Sequence, residues 1–167
     1  MNSIVKSERS TTSRLVYASM FIALSFIGSL IKIQGTIALD SMSAFFASLF
    51  LGPVLGAIVG ALGHLLSAFT SGFPLTMPIH IIIMIEMAVV VYLFGILYKK
   101  YNPVFANIIA IVLNGIGAVL VLAPITKLLG LPLNGKAFIY AMTIPLTLAS
   151  AVNIILASIV FSRVKKV

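Results

Sequence analysis

Six apolar runs, closed off by prolines, glycine turns and basic clusters, decide what this chain can fold into. An α-helix needs about 20 apolar residues to cross the hydrocarbon core of a bilayer. The runs are 13–33, 41–51, 53–69, 78–98, 103–125 and 137–161. The second is short, and flanking residues would have to extend it. The boundary between the second and third is set by Gly52-Pro53, a turn signal inside an otherwise continuous apolar stretch. Pro53, Pro78 and Pro103 each open a run, which suits the first turn of a helix. The pattern predicts an all-α membrane protein, a six-transmembrane-helix bundle forming one integral membrane domain over residues 1–167.

Composition excludes the alternative of a water-soluble fold. Hydrophobic residues make up 61% of the chain and charged residues 8%, where a soluble domain carries roughly a quarter charged residues. The net charge of +8 does not indicate nucleic acid, because the basic residues lie between the apolar runs and near the ends rather than in one patch. Cysteine is absent, so neither disulfides nor thiolate metal sites enter the reading. The polar start, Met1–Ser13, followed by a long apolar run is not expected to be a cleaved signal peptide.

Charge orients the bundle. With both termini cytoplasmic, the inner side holds Lys6, Arg9, Arg14, Lys99, Lys100, Arg163, Lys165 and Lys166, while the outer side holds Lys32, Lys127 and Lys136. This obeys the positive-inside rule. The outer connections, residues 34–40, 70–77 and 126–136, are the longer ones, which is where a ligand would be met.

Polar side chains inside the spans mark possible sites. Glu86 lies eight residues past Pro78, about 12 Å into its helix at ~1.5 Å per residue. A carboxylate at that depth costs about 3 kcal/mol or more and usually faces a cavity or a partner. It reads either as a ligand contact or as a group that joins helices. His80, with Met84 and Met87 on its face, is either a site residue or an interfacial histidine. His80 and Glu86 are too far apart around the helix for a tight dyad, so no metal is expected there. His64 continues the series Gly52, Gly56, Gly60 at four-residue spacing, which reads as a packing seam. Asn107 and Asn114 share a face of the fifth run. Thr143, Thr147, Ser150 and Asn153 form a stripe on the sixth, around Pro145. Such stripes serve as interhelical hydrogen bonds or line a cavity. Asp40 reads as a helix N-cap or a ligand contact, and Phe73 as a loop aromatic covering a flat ligand or anchoring at the interface.

No catalytic constellation is present. The chain lacks a His-Glu-x-x-His motif, a glycine-rich phosphate loop and, with only three acidic residues, any paired-carboxylate centre. "FTSGF" matches the serine motif of a membrane serine protease only in part. The chain is expected not to be an enzyme and to need no cofactor.

The stretches "ALDSMSAFFASLFLGPVLGAIVGALGHL" and "SGFPLTMPIH", after a short basic N-terminus and a first helix with small residues, resemble the substrate-binding S component of energy-coupling factor (ECF) vitamin ABC transporters. The resemblance covers almost the whole chain and is strongest to members assigned to α-ribazole, a cobalamin precursor; cobalamin and pantothenate members are similar too. It implies a bacterial cell-membrane protein that captures a vitamin or precursor on the outer side, between the fourth to sixth helices and the covering loops. The protein would then dock on a transmembrane coupling subunit and topple in the lipid bilayer while two ATPase subunits drive release. The substrate-binding residues expected on this basis are Asp40, His64, Phe73, His80, Met84, Glu86, Met87, Asn114, Tyr140, Thr143 and Thr147. Phe73 and Tyr140 would cover a flat ring. The family's Ala-x-x-x-Ala docking motif finds its best match at Ser19-x-x-x-Ala23, with Ala18 adjacent; serine stands where the motif has alanine. Two readings of another class are a structural or assembly membrane protein and a stand-alone secondary transporter, although no inverted repeat is visible.

Overall fold

The computed structural model describes residues 10–33 and 37–164; Lys6, Arg9, Lys165 and Lys166 of the charge pattern, and residues 34–36 of the first outer connection, lie outside them. The chain forms helix α1 (Thr11–Ser29), a two-residue antiparallel strand pair β1 (Lys32–Ile33) and β2 (Ile37–Ala38), and helices α2 (Met42–Phe50), α3 (Pro53–Thr70) and α4 (Met77–Lys100). Helix α5 (Pro103–Val112) passes through a π-helical turn (Leu113–Gly117) into α6 (Ala118–Leu128), and α7 (Gly135–Val164) follows. Counting Pro103–Leu128 as one rod, five helices among the described residues are long and apolar enough to cross a membrane.

Local chemistry explains the boundaries. The Ser10 side chain accepts from the Ser13 N–H to cap α1, and Asn102 accepts from the Phe105 N–H to cap α5 ahead of Pro103. Gly52 precedes Pro53 at φ 106°, a left-handed backbone that glycine adopts without penalty, and so reverses the chain between α2 and α3. The first span stops at Ser29 rather than 33, because residues 32–33 pair with 37–38.

The second span is corrected. Flanking residues do not extend it: α2 has nine residues, about 13 Å of helix, less than half of a hydrocarbon core of about 30 Å. It still runs antiparallel to α1 along most of that helix. Ser25 and Ser43 share a hydrogen bond of 2.5 Å between their hydroxyls. Next, Phe21 meets Phe46 and Tyr17 meets Phe50 through their rings. At the far end, Arg14 donates from its guanidinium to the Leu51 carbonyl at 2.9 Å. The arginine thereby satisfies a carbonyl left free where the short helix ends.

Helix α3 is the hub, packing on α1, α2 and α4. The glycine series is not a seam toward a single partner. A side-chain carbon at Gly56 would collide with the backbone of Ser48 in α2, whereas one at Gly60 would meet Val91 of α4 at 3.1 Å. Buried side chains fall into two groups. One surrounds α2 and includes Phe45, Val59, Val91, Phe94 and Ile154. The other joins α4, α6 and α7 through Ile79, Val119, Leu122, Phe138 and Met142.

Of the expected docking residues, Ala18 is corrected. It is 5% exposed and packs in the core. It sits about 100° around the helix from Ser19, and that turn carries it inward. Ser19 and Ala23 are exposed. The Ser19 hydroxyl donates to the Leu15 carbonyl of its own helix, so its polar group is internally satisfied. The flanking Leu15, Val16, Met20, Leu24 and Ile27 are exposed on the same helix.

Candidate functional site

A cavity opens at the end of the bundle where the β2–α2 link and the α3–α4 connection meet. It contains about 870 Å³ of space, part of it continuous with the outside. The β2–α2 link contributes Asp40 and Ser41, α3 contributes His64 and Ser67, and α4 contributes His80, Glu86 and Met87. Asn114 reaches it from the π-helical turn, Leu122 from α6, and Phe138, Met142, Ser150 and Asn153 from α7. The walls are mainly apolar with a few convergent polar groups, the usual make-up of a small-molecule site.

The polar groups form two sets. The first is a chain of three. Asp40 Oδ2 lies 3.9 Å from His64 Nδ1, and His64 Nε2 shares a hydrogen bond of 3.1 Å with His80 Nδ1. Phe73 stacks obliquely behind His80, with ring centroids 5.8 Å apart. Burial pushes the Asp40 carboxyl up to about 6, against the opposing pull of the Ser67 hydroxyl. Asp40 does not cap α2. That position is Ser41, whose side chain makes no capping bond, and the Met42 N–H is instead taken by Asn153 Oδ1 of α7 at 2.9 Å. The carboxylate is therefore left to the cavity, to His64 and to the Ser67 hydroxyl.

The second set is built around Glu86. Asn114 Nδ2 donates to Ser150 Oγ at 2.8 Å, and Asn153 Nδ2 donates to the Ala149 carbonyl. Both amides are thus anchored to α7. The π-helical turn presents Asn114 and Gly115 toward α7, and a side chain at Gly115 would strike Thr147. Such turns insert one residue into a helix and recur at functional positions. Two residues that line the cavity each hold a buried polar atom without a hydrogen-bond partner among the described residues: His80 Nε2 and Glu86 Oε2. A buried polar atom left unpaired costs about 1–3 kcal/mol. Two of them on residues lining one cavity point to a partner that comes from outside the chain.

The structure brings together Asp40, His64, His80, Glu86, Met87 and Asn114 from the expected set. It does not bring the others to the cavity wall. Tyr140 is 81% exposed on the outside of α7, because Phe138 and Met142 occupy the inward phase two residues either side. Thr143 is turned aside and donates to the Ile139 carbonyl of its own helix at 2.6 Å. Thr147 packs on Gly115, its hydroxyl buried without a partner. Met84 is half-buried beside His80 without lining the cavity, and Phe73 packs on His80 without lining the space.

The pairing of His64 with His80 is the main feature the sequence reading missed. A signal for it existed: six residues connect α3 to α4, His64 lies six residues before the end of one helix and His80 three after the start of the next. A tight antiparallel connection brings such positions to similar depth. Ser67, Phe138 and Met142 were also missed, and nothing in their local sequence distinguishes them from ordinary helix-packing residues.

Among the described residues no group of His, Asp and Glu is arranged to hold a metal ion. A model of the family described as the ECF transporter, substrate-specific component, matches residues 13–164. No curated protein and no solved structure gives a match.

Proposed function

The chain belongs to the substrate-specific components of ECF transporters, and from that premise we propose that the cavity between α3, α4, α6 and α7 captures a vitamin precursor, α-ribazole, from the outer side of a bacterial cell membrane. Members of this family are substrate-binding transporter subunits that work with a coupling subunit and ATPase subunits. The observation that carries the reading is the pair of unpartnered buried atoms, His80 Nε2 and Glu86 Oε2, on a single cavity. Hydroxyls of a ribose supply the hydrogen bonds these atoms lack, while Phe138, Met142 and Leu122 offer apolar surface to a flat ring.

The cavity end is the outer end in this reading, since the basic residues Arg14, Lys99, Lys100 and Arg163 lie toward the opposite one. Ser19 and Ala23, small and exposed on α1, form the contact with the coupling subunit, where small residues let helices approach closely. Two unpaired polar atoms on residues lining one cavity favour a ligand-binding role over a purely structural one.

The test is the thermal stability of the purified protein in detergent against α-ribazole, dimethylbenzimidazole, cobalamin, pantothenate, riboflavin, thiamine, biotin and folate. A binder at about 100 times its Kd stabilises by about 2.7 kcal/mol. A shift with α-ribazole alone is the expected result. A shift with pantothenate or cobalamin instead reassigns the substrate, and a folded sample that responds to none of the panel contradicts the proposal.

A further inference from the structure

The groups behind the two unpartnered atoms determine how a ligand must address them. An ionised Glu86 carboxylate only accepts hydrogen bonds. His80 depends on its neighbours. Its Nδ1 shares one hydrogen with His64 Nε2 across 3.1 Å, so one of those nitrogens carries the hydrogen and the other a lone pair. The far side of His64 resolves which. His64 Nδ1 faces Asp40 Oδ2 at 3.9 Å, too long for a hydrogen bond but close enough for an ionised carboxylate to favour a hydrogen there over a lone pair. Asp40 is ionised above about pH 6. With the hydrogen on His64 Nδ1, His64 Nε2 accepts, His80 Nδ1 donates, and His80 Nε2 is left bare toward the cavity. The second histidine therefore presents an acceptor, like Glu86. These hydrogen positions are assigned from the electrostatics of the three groups.

Charge points the same way. Among the described residues the lining contains two carboxyl groups, Asp40 and Glu86, two hydrogen-bonded histidines, and neither lysine nor arginine. An anion brought into this partly desolvated space meets the like charge of Asp40, with no lysine or arginine among the described lining residues to offset it, and such juxtaposition is costly.

Building on the reading of this cavity as the capture site, we infer that its ligand is uncharged or cationic, that it donates two hydrogen bonds, one to Glu86 and one to His80, and that carboxylates and phosphates are rejected. His80 and Glu86 are six residues apart on one helix, about 9 Å along its axis, so the donors belong to separate parts of the ligand. A free nucleoside satisfies these conditions; its phosphate does not, and neither does pantothenate, a carboxylate. Asp40 acts here as a positioning residue, setting the histidine tautomers.

Binding is measured for pairs in which an anionic group is added to a neutral compound or replaces its terminal hydroxymethyl: α-ribazole with its 5′-phosphate, pantothenol with pantothenate, and biotinol with biotin. The neutral member of one pair is expected to bind, with its anionic partner about tenfold weaker or worse. Glu86→Gln, checked for folding by size exclusion, is expected to narrow that gap while weakening the neutral compound. An anion bound as tightly as its neutral partner overturns the inference and leaves the capture site standing; a folded sample that binds neither member of any pair and no compound of the vitamin panel overturns both. Nitrogen NMR of the imidazoles gives a readout independent of any ligand. A bare His80 Nε2 at pH 7.5 that becomes protonated in Asp40→Asn supports the tautomer assignment, and a protonated Nε2 in the unaltered protein overturns it.

Discussion

The two halves of the bundle are built on opposite terms. Around α2 the interior is closed. Phe45 and Phe94 meet edge to face at 5.1 Å, Tyr98 and Phe161 extend the contact, and the polar groups are paired: Ser48 donates to the Val91 carbonyl at 2.9 Å and Ser158 to Asn107 Oδ1 at 2.6 Å. At the other end the helices part around a cavity and leave His80 and Glu86 each with a polar atom unsatisfied. The same helices, α3, α4 and α7, run through both halves. The difference lies in what they carry at each level, with small and aromatic residues below and acids, imidazoles and amides above. Stability is concentrated in one half and withheld from the other, a common trade at binding sites.

Breaking the closed half should give the largest stability effect and the smallest effect on binding. Phe45 is fully buried; Phe45→Ala should cost about 3–5 kcal/mol in detergent unfolding experiments, yet leave the ligand Kd within about twofold, since mutations at separate sites act nearly independently. A large loss of affinity in a still-folded Phe45→Ala protein would dissolve the distinction between the halves.

Asp40 probes the open half through pH. Its carboxyl is raised from 3.8 to about 6 by burial, so the folded state holds this proton more tightly than the unfolded state. Its contribution to stability is fully present below about pH 4 and is lost as pH rises through about 6, amounting to at most about 3 kcal/mol. Asp40→Asn should therefore raise the melting temperature of the unliganded protein at pH 7.5, with the gain vanishing near pH 4. A gain that is independent of pH would locate the effect elsewhere.

Much of this division is visible in the sequence, and the remainder is hidden for identifiable reasons. The helix ends follow from Gly52-Pro53 and Asn102-Pro103, where backbone geometry and capping are local. The depth of Glu86 follows from counting residues after Pro78. What counting cannot supply is the rotational phase of a helix that is apolar on every side. Along α7, lipid and protein interior select similar residues, so Tyr140 and Phe138 look alike until neighbours are placed around them. The shortness of the second run is visible between Asp40 and Gly52-Pro53; that nothing extends it to a full span shows only in the fold. The Asp40–His64–His80 chain joins three separate elements and emerges only when they pack.

The smallest effect sharpens the comparison from outside the cavity. Tyr140 faces outward, and Tyr140→Ala should leave ligand affinity unchanged within about twofold, as expected for a residue away from the site. A tenfold loss in titration calorimetry would show that the tyrosine folds over the ligand.

The most direct measurement is the melting temperature of Glu86→Leu, with and without the ligand identified for the unaltered protein. If Glu86 is held unsatisfied for the sake of binding, leucine removes a buried polar liability of about 1–3 kcal/mol. The variant then melts at a higher temperature than the unaltered protein when empty and shows no shift when ligand is added. A variant that melts lower when empty and still responds fully to ligand would make Glu86 a structural residue and contradict the account.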